Sequence, residues 1–182
     1  MGNHELGLVD SLHLGWFNPV ARKSLLMTRA LLSEDSRRYL GSLPTTLTVA
    51  HCLAVHGAPP ASVTTYLFEL HLYELAGILS HIEERLCFVG HTHDLELVAY
   101  DGAEVRRSPL RKGLIELPAD CRYIINVGSV GQPRDGNNNA KYVIWDAAAN
   151  VLEVRYVPYD IETTVKKIRD LHLPEINARR LW

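Results

Sequence analysis

Four histidines and one asparagine fall where short apolar runs end or where the chain begins. Val55-His56-Gly57 closes the run Cys52–Val55, and Gly90-His91-Thr92-His93 closes the run Leu86–Val89. Gly2-Asn3-His4-Glu5, at the start of the chain, reads as a turn like the other two. Imidazole is the commonest side-chain ligand for Zn, Fe, Mn and Ni. Loops at the carboxyl ends of strands are where α/β sheets gather ligands, because a rigid strand aims loop side chains into a shared crevice. His91 and His93 are one residue apart: on an extended loop both rings point the same way, and in a tight turn they diverge towards two adjacent ions. Singly, none of these is diagnostic. A bare His-x-His pair is more often surface or hydrogen-bonded core than a metal site, and a strand-end histidine before glycine is ordinary.

The elements that must position them can be read from pattern. Asn18-Pro19 is a helix start, with Asn as N-cap and Pro at the first helical position, and the helix continues over 20–32. Ser33 begins a second helix over 34–43 that stops at Pro44. Residues 45–49 and Cys52–Val55 read as two strands, arranged as a hairpin. The apolar spacing of Leu70, Leu72, Leu75, Ile78, Leu79 and Ile82 predicts a helix over 69–85. Short strands follow at 86–90, 95–100, 113–117 and 123–127, then a Gly- and Asn-rich loop over 128–140. Strands at 141–145 and 151–157 precede a C-terminal helix over 160–171, and 174–181 forms a last turn or two. Helices crowd the first half and strands the second, which predicts α/β layers around sheets in one domain, 1–182.

Composition narrows the class. The chain has 182 residues, 47% hydrophobic and 22% charged, with a formal net charge of -2. That is one sizeable core and no electrostatic reason to expect a nucleic-acid polymer or an anionic membrane as partner. No apolar run approaches the roughly 20 residues that cross a bilayer. Three widely separated cysteines, Cys52, Cys87 and Cys121, form neither a disulfide framework nor a Cys-x-x-Cys site, so a reducing, cytoplasmic setting is expected.

In combination the motifs say more. Asn-His, His-Gly and Gly-His-x-His, in that order, resemble the last three motifs of the calcineurin-like metallophosphoesterases. The loop Asn126-Val127-Gly128-Ser129-Val130-Gly131-Gln132-Pro133-Arg134, the helix start at Phe17-Asn18-Pro19 and the closing Val157-Pro158-Tyr159-Asp160 resemble the bacterial phosphodiesterase and phosphatase branch of that superfamily. The resemblance implies a layered α/β/β/α sandwich and a hydrolase of small phosphate esters working with two divalent ions (Mn, Fe, Zn or Ni). It assigns Asn3, His56 and His91 to one metal and His93 to the other. His4 becomes the catalytic residue that protonates the leaving-group oxygen, and Glu5 a partner that orients it or a plain first-turn carboxylate. Arg134 and the asparagines at 137–139 follow in the same loop, the former a candidate donor to substrate and the latter a solvent-exposed turn.

The family centre opens with Asp-x-His and Gly-Asp, and neither stands ahead of Asn3. Asp170-Leu171-His172, at the end of the last long helix, is a coincidence of letters. The sandwich is therefore expected to lack its first strands, a βαβαβ portion on the order of sixty residues, through a chain started at an internal Met1. Neutral ligands alone offset the repulsion of two cations poorly, so partial metal occupancy and impaired catalysis are expected, unless a homo-oligomer or second polypeptide closes the sheet. The alternative is a non-catalytic protein-interaction scaffold of the same fold, which would have no use for the four histidines.

Overall fold

The apolar runs become strands and the amphipathic stretches become helices. In the computed structural model, which describes residues 1–182, the chain forms two units: Thr46–Tyr159, and Met1–Thr45 with Asp160–Trp182.

The larger unit is built on a six-stranded sheet in the order β1-β2-β3-β7-β4-β5. Its strands are β1 (Thr46–Val49), β2 (Cys52–Val55), β3 (Leu86–Val89), β4 (Leu95–Tyr100), β5 (Val105–Pro109) and β7 (Arg122–Val127). The central three, β2, β3 and β7, run parallel, with Leu53 opposite Cys87 and Cys87 opposite Ile124. β1 and β2 form the expected hairpin, joined by Ala50 and His51, whose φ angles are 49° and 61°. Those values at both central residues belong to the two-residue turn whose twist matches that of the strands. A second, antiparallel sheet has the order β6-β9-β8, from Gly113–Glu116, Val151–Val157 and Ala140–Asp146.

Both faces of the large sheet are covered, which is why its central strands are continuously apolar. Leu75 and Leu79 of α4 (Leu72–His81) pack on one face with Leu53, Val55, Cys87, Val89, Val98 and Ile124. On the other face Leu86, Leu95, Tyr123 and Ile125 meet Leu152 and Val154 of the second sheet. Ile124 and Ile125, adjacent in β7, thus serve opposite layers, as the period-two geometry of a strand requires.

The smaller unit is helical: α1 (Asn3–Val9), α2 (Pro19–Leu31), α3 (Glu34–Ser42), α5 (Ile161–Asp170) and α6 (Glu175–Arg179). Leu8, Leu14 and Leu25 form one small core; Val165, Ala178 and Leu181 form another. The N-caps fall where the sequence placed them. Asn18 Oδ1 accepts the Ala21 N–H at 2.9 Å, and Ser33 Oγ accepts that of Ser36 at 3.1 Å.

Three expectations need correction. The helix expected over 69–85 occupies only Leu72–His81. Glu69 and Glu74 turn back to accept the backbone N–H groups of Tyr66 and His71, at 3.2 and 2.8 Å, and so separate a 3₁₀ turn from the helix proper. β5 was not foreseen, because its Arg106 and Arg107 hide any apolar alternation; it is an edge strand held in part by Arg107 gripping both oxygens of Glu96 at 2.7 and 2.9 Å. Gly2-Asn3-His4-Glu5 is not a turn but the opening of α1. No helix is long and apolar enough to cross a membrane.

Candidate metal centre

His56, the Gly90–His93 turn and Asn126 all lie at the carboxyl ends of the adjacent parallel strands β2, β3 and β7. The three turns are tied to one another. The Gly90 N–H donates to the His56 carbonyl at 2.9 Å. The Asn126 amide, fully buried, donates to the Gly90 carbonyl at 3.1 Å and to Thr92 Oγ1 at 2.6 Å, while its oxygen accepts the Gly128 N–H at 3.3 Å. The Thr92 N–H closes on the Gly90 carbonyl at 2.7 Å.

This network holds an expensive backbone. His91 and His93 have φ of 64° and 68°, in the left-handed region that costs a residue with a Cβ on the order of 1–3 kcal/mol. Such conformations persist only where the surroundings over-determine them, and they gather at functional sites. The two left-handed residues flank Thr92, so the turn is tight.

Each ring is fixed by a carbonyl, which can only accept. The Nε2–H of His91 donates to Thr64 O at 3.0 Å, and the Nδ1–H of His93 donates to Gln132 O at 2.8 Å. In a neutral imidazole one nitrogen carries the proton and the other the lone pair. His91 therefore presents its lone pair at Nδ1 and His93 at Nε2, the arrangement by which a backbone carbonyl fixes the tautomer of a metal-ligating histidine. The His56 ring lies 5.0 Å from that of His91, centroid to centroid. Tyr66 stacks on His91 at 4.0 Å and 18°, and Phe68, largely exposed, stacks on Tyr66 at 5.0 Å. Burial, and next the neighbouring Asp135, push the Asp94 carboxyl above its ordinary value, against the pull of Arg134.

The structure thus brings His56, His91 and His93 to one end of one sheet. Asn3 and His4 belong to the smaller unit, in the first turn of α1, where the exposed His4 ring meets Phe17 edge-on at 5.1 Å. Glu5 accepts the Gly2 N–H at 2.9 Å, the ordinary work of a first-turn carboxylate. Asn137 and Asn138 are exposed, as expected of a turn, and Arg134 is exposed with its backbone N–H on the His93 carbonyl at 3.1 Å. Three contributors were not foreseen: the Thr64 and Gln132 carbonyls, and the Asn126 side chain. Carbonyls leave no trace in a sequence; Asn126 left one, a polar residue ending the wholly apolar run Tyr123-Ile124-Ile125.

The fit to metal divides in two. The chemistry of His91 and His93, each with its tautomer fixed by a carbonyl, suits a divalent ion. A finished site is another matter, for one ion as for two, since no group of three or more His, Cys, Asp or Glu side chains is placed to hold a metal ion.

Parallel strands with histidine turns at their carboxyl ends, backed by a second sheet, define a layered α/β protein of the kind the motif resemblance implies. Comparison with known proteins agrees. A metallophosphoesterase from Sphaerobacter thermophilus, known from its crystal structure, superposes with a TM-score of 0.81 at 33% identity, over 99% of this chain and 74% of that one. Protein MJ0912 of Methanocaldococcus jannaschii, described as uncharacterized, is 32% identical over 187 residues, spanning 100% of this chain and 73% of its own length. The hypothetical protein PH1004 from Pyrococcus horikoshii OT3 shares the fold, with a TM-score of 0.74 at 17% identity over 100% of this chain and 70% of that one. No family model matches the chain. The chain belongs to the calcineurin-like metallophosphoesterase superfamily.

Proposed function

We propose that this polypeptide carries the histidine half of a metal-dependent phosphate-ester hydrolase centre, with small phosphate monoesters or diesters as its substrate class. The observation that supports the reading best is the paired tautomer control of His91 and His93 on a turn of two left-handed residues. Left-handed backbone alone does not mark a site, since His51 and His172 share it; at His91 and His93 it is combined with a carbonyl on each ring. Bound divalent ions would supply a water of lowered pKa and neutralise phosphate oxygens.

This chain's own residues would do the following. His56 and His91 would hold one ion and His93 would face a second position, with the Thr64 and Gln132 carbonyls keeping the ligating nitrogens unprotonated. The motif resemblance adds Asn3 as an oxygen ligand of the first ion and His4 as the proton donor to the leaving-group oxygen. All four ligands are neutral, so repulsion between two ions goes uncompensated. A single weakly held ion, and catalysis far below that of a complete centre, are the consequences.

The test is metal per chain after loading with Mn²⁺ and exhaustive buffer exchange, beside release of nitrophenol from aryl phosphate mono- and diesters. The expected result is substoichiometric to single occupancy, abolished in His91→Ala, with little hydrolysis. Two ions per chain and brisk turnover would show that carboxylates reach the site from elsewhere and overturn the half-site reading. No Mn²⁺ retained, with His91→Ala indistinguishable from the parent, would remove the metal reading altogether.

A further inference from the structure

Lys141, at the start of β8, is the largest completely buried side chain in the protein, 1% exposed. A buried ammonium is costly unless its donors are matched. Here it donates to Asp135 Oδ1 at 2.7 Å and to the Asn137 carbonyl, and it lies 5.2 Å from the centroid of the Tyr156 ring. The Lys141 backbone N–H also donates to the Ser129 carbonyl at 3.0 Å. One residue thus fastens the loop 129–139 at both ends.

What the loop does in between is the point of interest. Ser129 Oγ accepts the Gln132 N–H at 3.0 Å, the Gln132 carbonyl accepts the His93 Nδ1–H at 2.8 Å, and the Arg134 N–H donates to the His93 carbonyl at 3.1 Å. The loop holds His93 by ring and by backbone, and Lys141 holds the loop. Asp135 Oδ1 also accepts the Asn137 N–H at 3.4 Å, within the same loop, and its other oxygen, Oδ2, is buried with no hydrogen-bond partner. A lysine that served the core alone would be replaceable by any apolar side chain of its length; this one spans from a strand of the second sheet to a turn of the first.

We propose that Lys141 is a positioning residue for His93, fixing through the 129–139 loop the tautomer and direction in which His93 presents its ring. The consequence for metal binding rests on the reading of His93 as a ligand; the tautomer does not.

The experiment is long-range ¹H–¹⁵N correlation of the histidine rings in the metal-free full chain, for the parent, Lys141→Met and Asp135→Asn, with a melting curve to confirm folding. In the parent, His93 should be protonated at Nδ1 and His91 at Nε2. In Lys141→Met, His93 should move to a mixture of tautomers while His91, held by Thr64 on a different loop, keeps its own. Asp135→Asn preserves shape, weakens the clamp and should shift His93 the same way by less; it decides the question if Lys141→Met does not fold. Mn²⁺ affinity should fall roughly tenfold or more in a variant that loses the tautomer, the usual cost of an outer-shell partner. A folded variant with the parent's His93 tautomer overturns the proposal, as does equal loss of order at His91 and His93. A parent that binds no Mn²⁺ sinks the metal reading only, and the ring spectra still decide the role of Lys141.

Discussion

The Asn126 side-chain amide lies 2.6 Å from Oγ1 of Thr92, in the middle of the histidine turn, and Asn126 is fully buried. It touches the backbone of two of the three loops at the site, Gly90 and Gly128, as well as Thr92. Replacement by Ala takes one donor from the Gly90 carbonyl, which keeps the Thr92 N–H, and one from the Thr92 hydroxyl, which keeps the Asp94 N–H, and it removes the acceptor of the Gly128 N–H. A lost hydrogen bond costs about 0.5–1.5 kcal/mol, and a buried group left without a partner about 1–3 kcal/mol. Urea unfolding of Asn126→Ala should show a loss of about 2–3 kcal/mol, together with faster amide exchange over 90–94. A change within about 0.5 kcal/mol would mean that the turn is held by something other than this amide.

Gly57 follows the candidate ligand His56, and its place admits no side chain. A Cβ there would stand 2.7 Å from the Ser62 carbonyl oxygen and 2.9 Å from that of Thr65, both backbone atoms that cannot rotate away. The displaced segment includes Thr64, whose carbonyl fixes His91. Gly57→Ala should therefore cost about 1–3 kcal/mol by overpacking and should scramble the His91 tautomer while leaving His93 alone. That pattern is the reverse of the one expected for Lys141→Met, so the two variants check each other. Ring spectra unchanged at His91 would show that the loop yields without moving Thr64.

Much of this architecture was legible because it is written in side chains with a period. Ser33 and Asn18 announced their helices, the apolar run Leu86–Val89 announced a buried strand, and the ends of the apolar runs announced that His56, His91 and His93 would lie together at one end of a sheet. What stayed hidden has physical reasons. β5 is an edge strand whose outward arginines satisfy water and Glu96 rather than a core, so no alternation marks it. The 3₁₀ break at Leu67–Glu69 comes from two glutamates accepting backbone protons, which helix-favouring residues do not advertise. The ring tautomers depend on carbonyls of Thr64 and Gln132, distant in sequence and chemically identical at every residue. Lys141, in a strand of mixed composition, reads as a surface residue until the loop that folds over it is seen.

The hairpin between β1 and β2 turns on Ala50 and His51, both at positive φ. That turn normally uses Asn or Gly, because a Cβ in the left-handed region clashes with the carbonyl that follows. Ala50→Asn combined with His51→Gly should relieve the strain and raise stability by about 1 kcal/mol, the greater flexibility of glycine in the unfolded chain setting the ceiling. Thermal melts at pH 7 measure it directly. A lower melting temperature would show that the His51 side chain makes contacts worth more than the strain it imposes.

The last prediction concerns alkaline pH. Cys87 lies in β3, wholly out of contact with solvent, and burial first, with the Glu84 carboxylate second, pushes its thiol up from an ordinary value of 9.0 to about 12. The raised value means that the folded state holds the thiol proton after the unfolded state has released it. The stabilisation is complete below about pH 9 and is lost as pH rises towards about 12, with a limiting slope of about 1.4 kcal/mol per pH unit from this group. Burial also raises the Tyr123 hydroxyl, which steepens the fall at the upper end of the range. Urea unfolding under reducing conditions at a series of pH values from 8 to 10.5 should show the parent losing stability faster than Cys87→Ala. The variant should start lower, by about 1 kcal/mol for the lost packing, and the gap should narrow with each step upward. Parallel lines would mean that Cys87 is not the group whose ionisation opens the sheet.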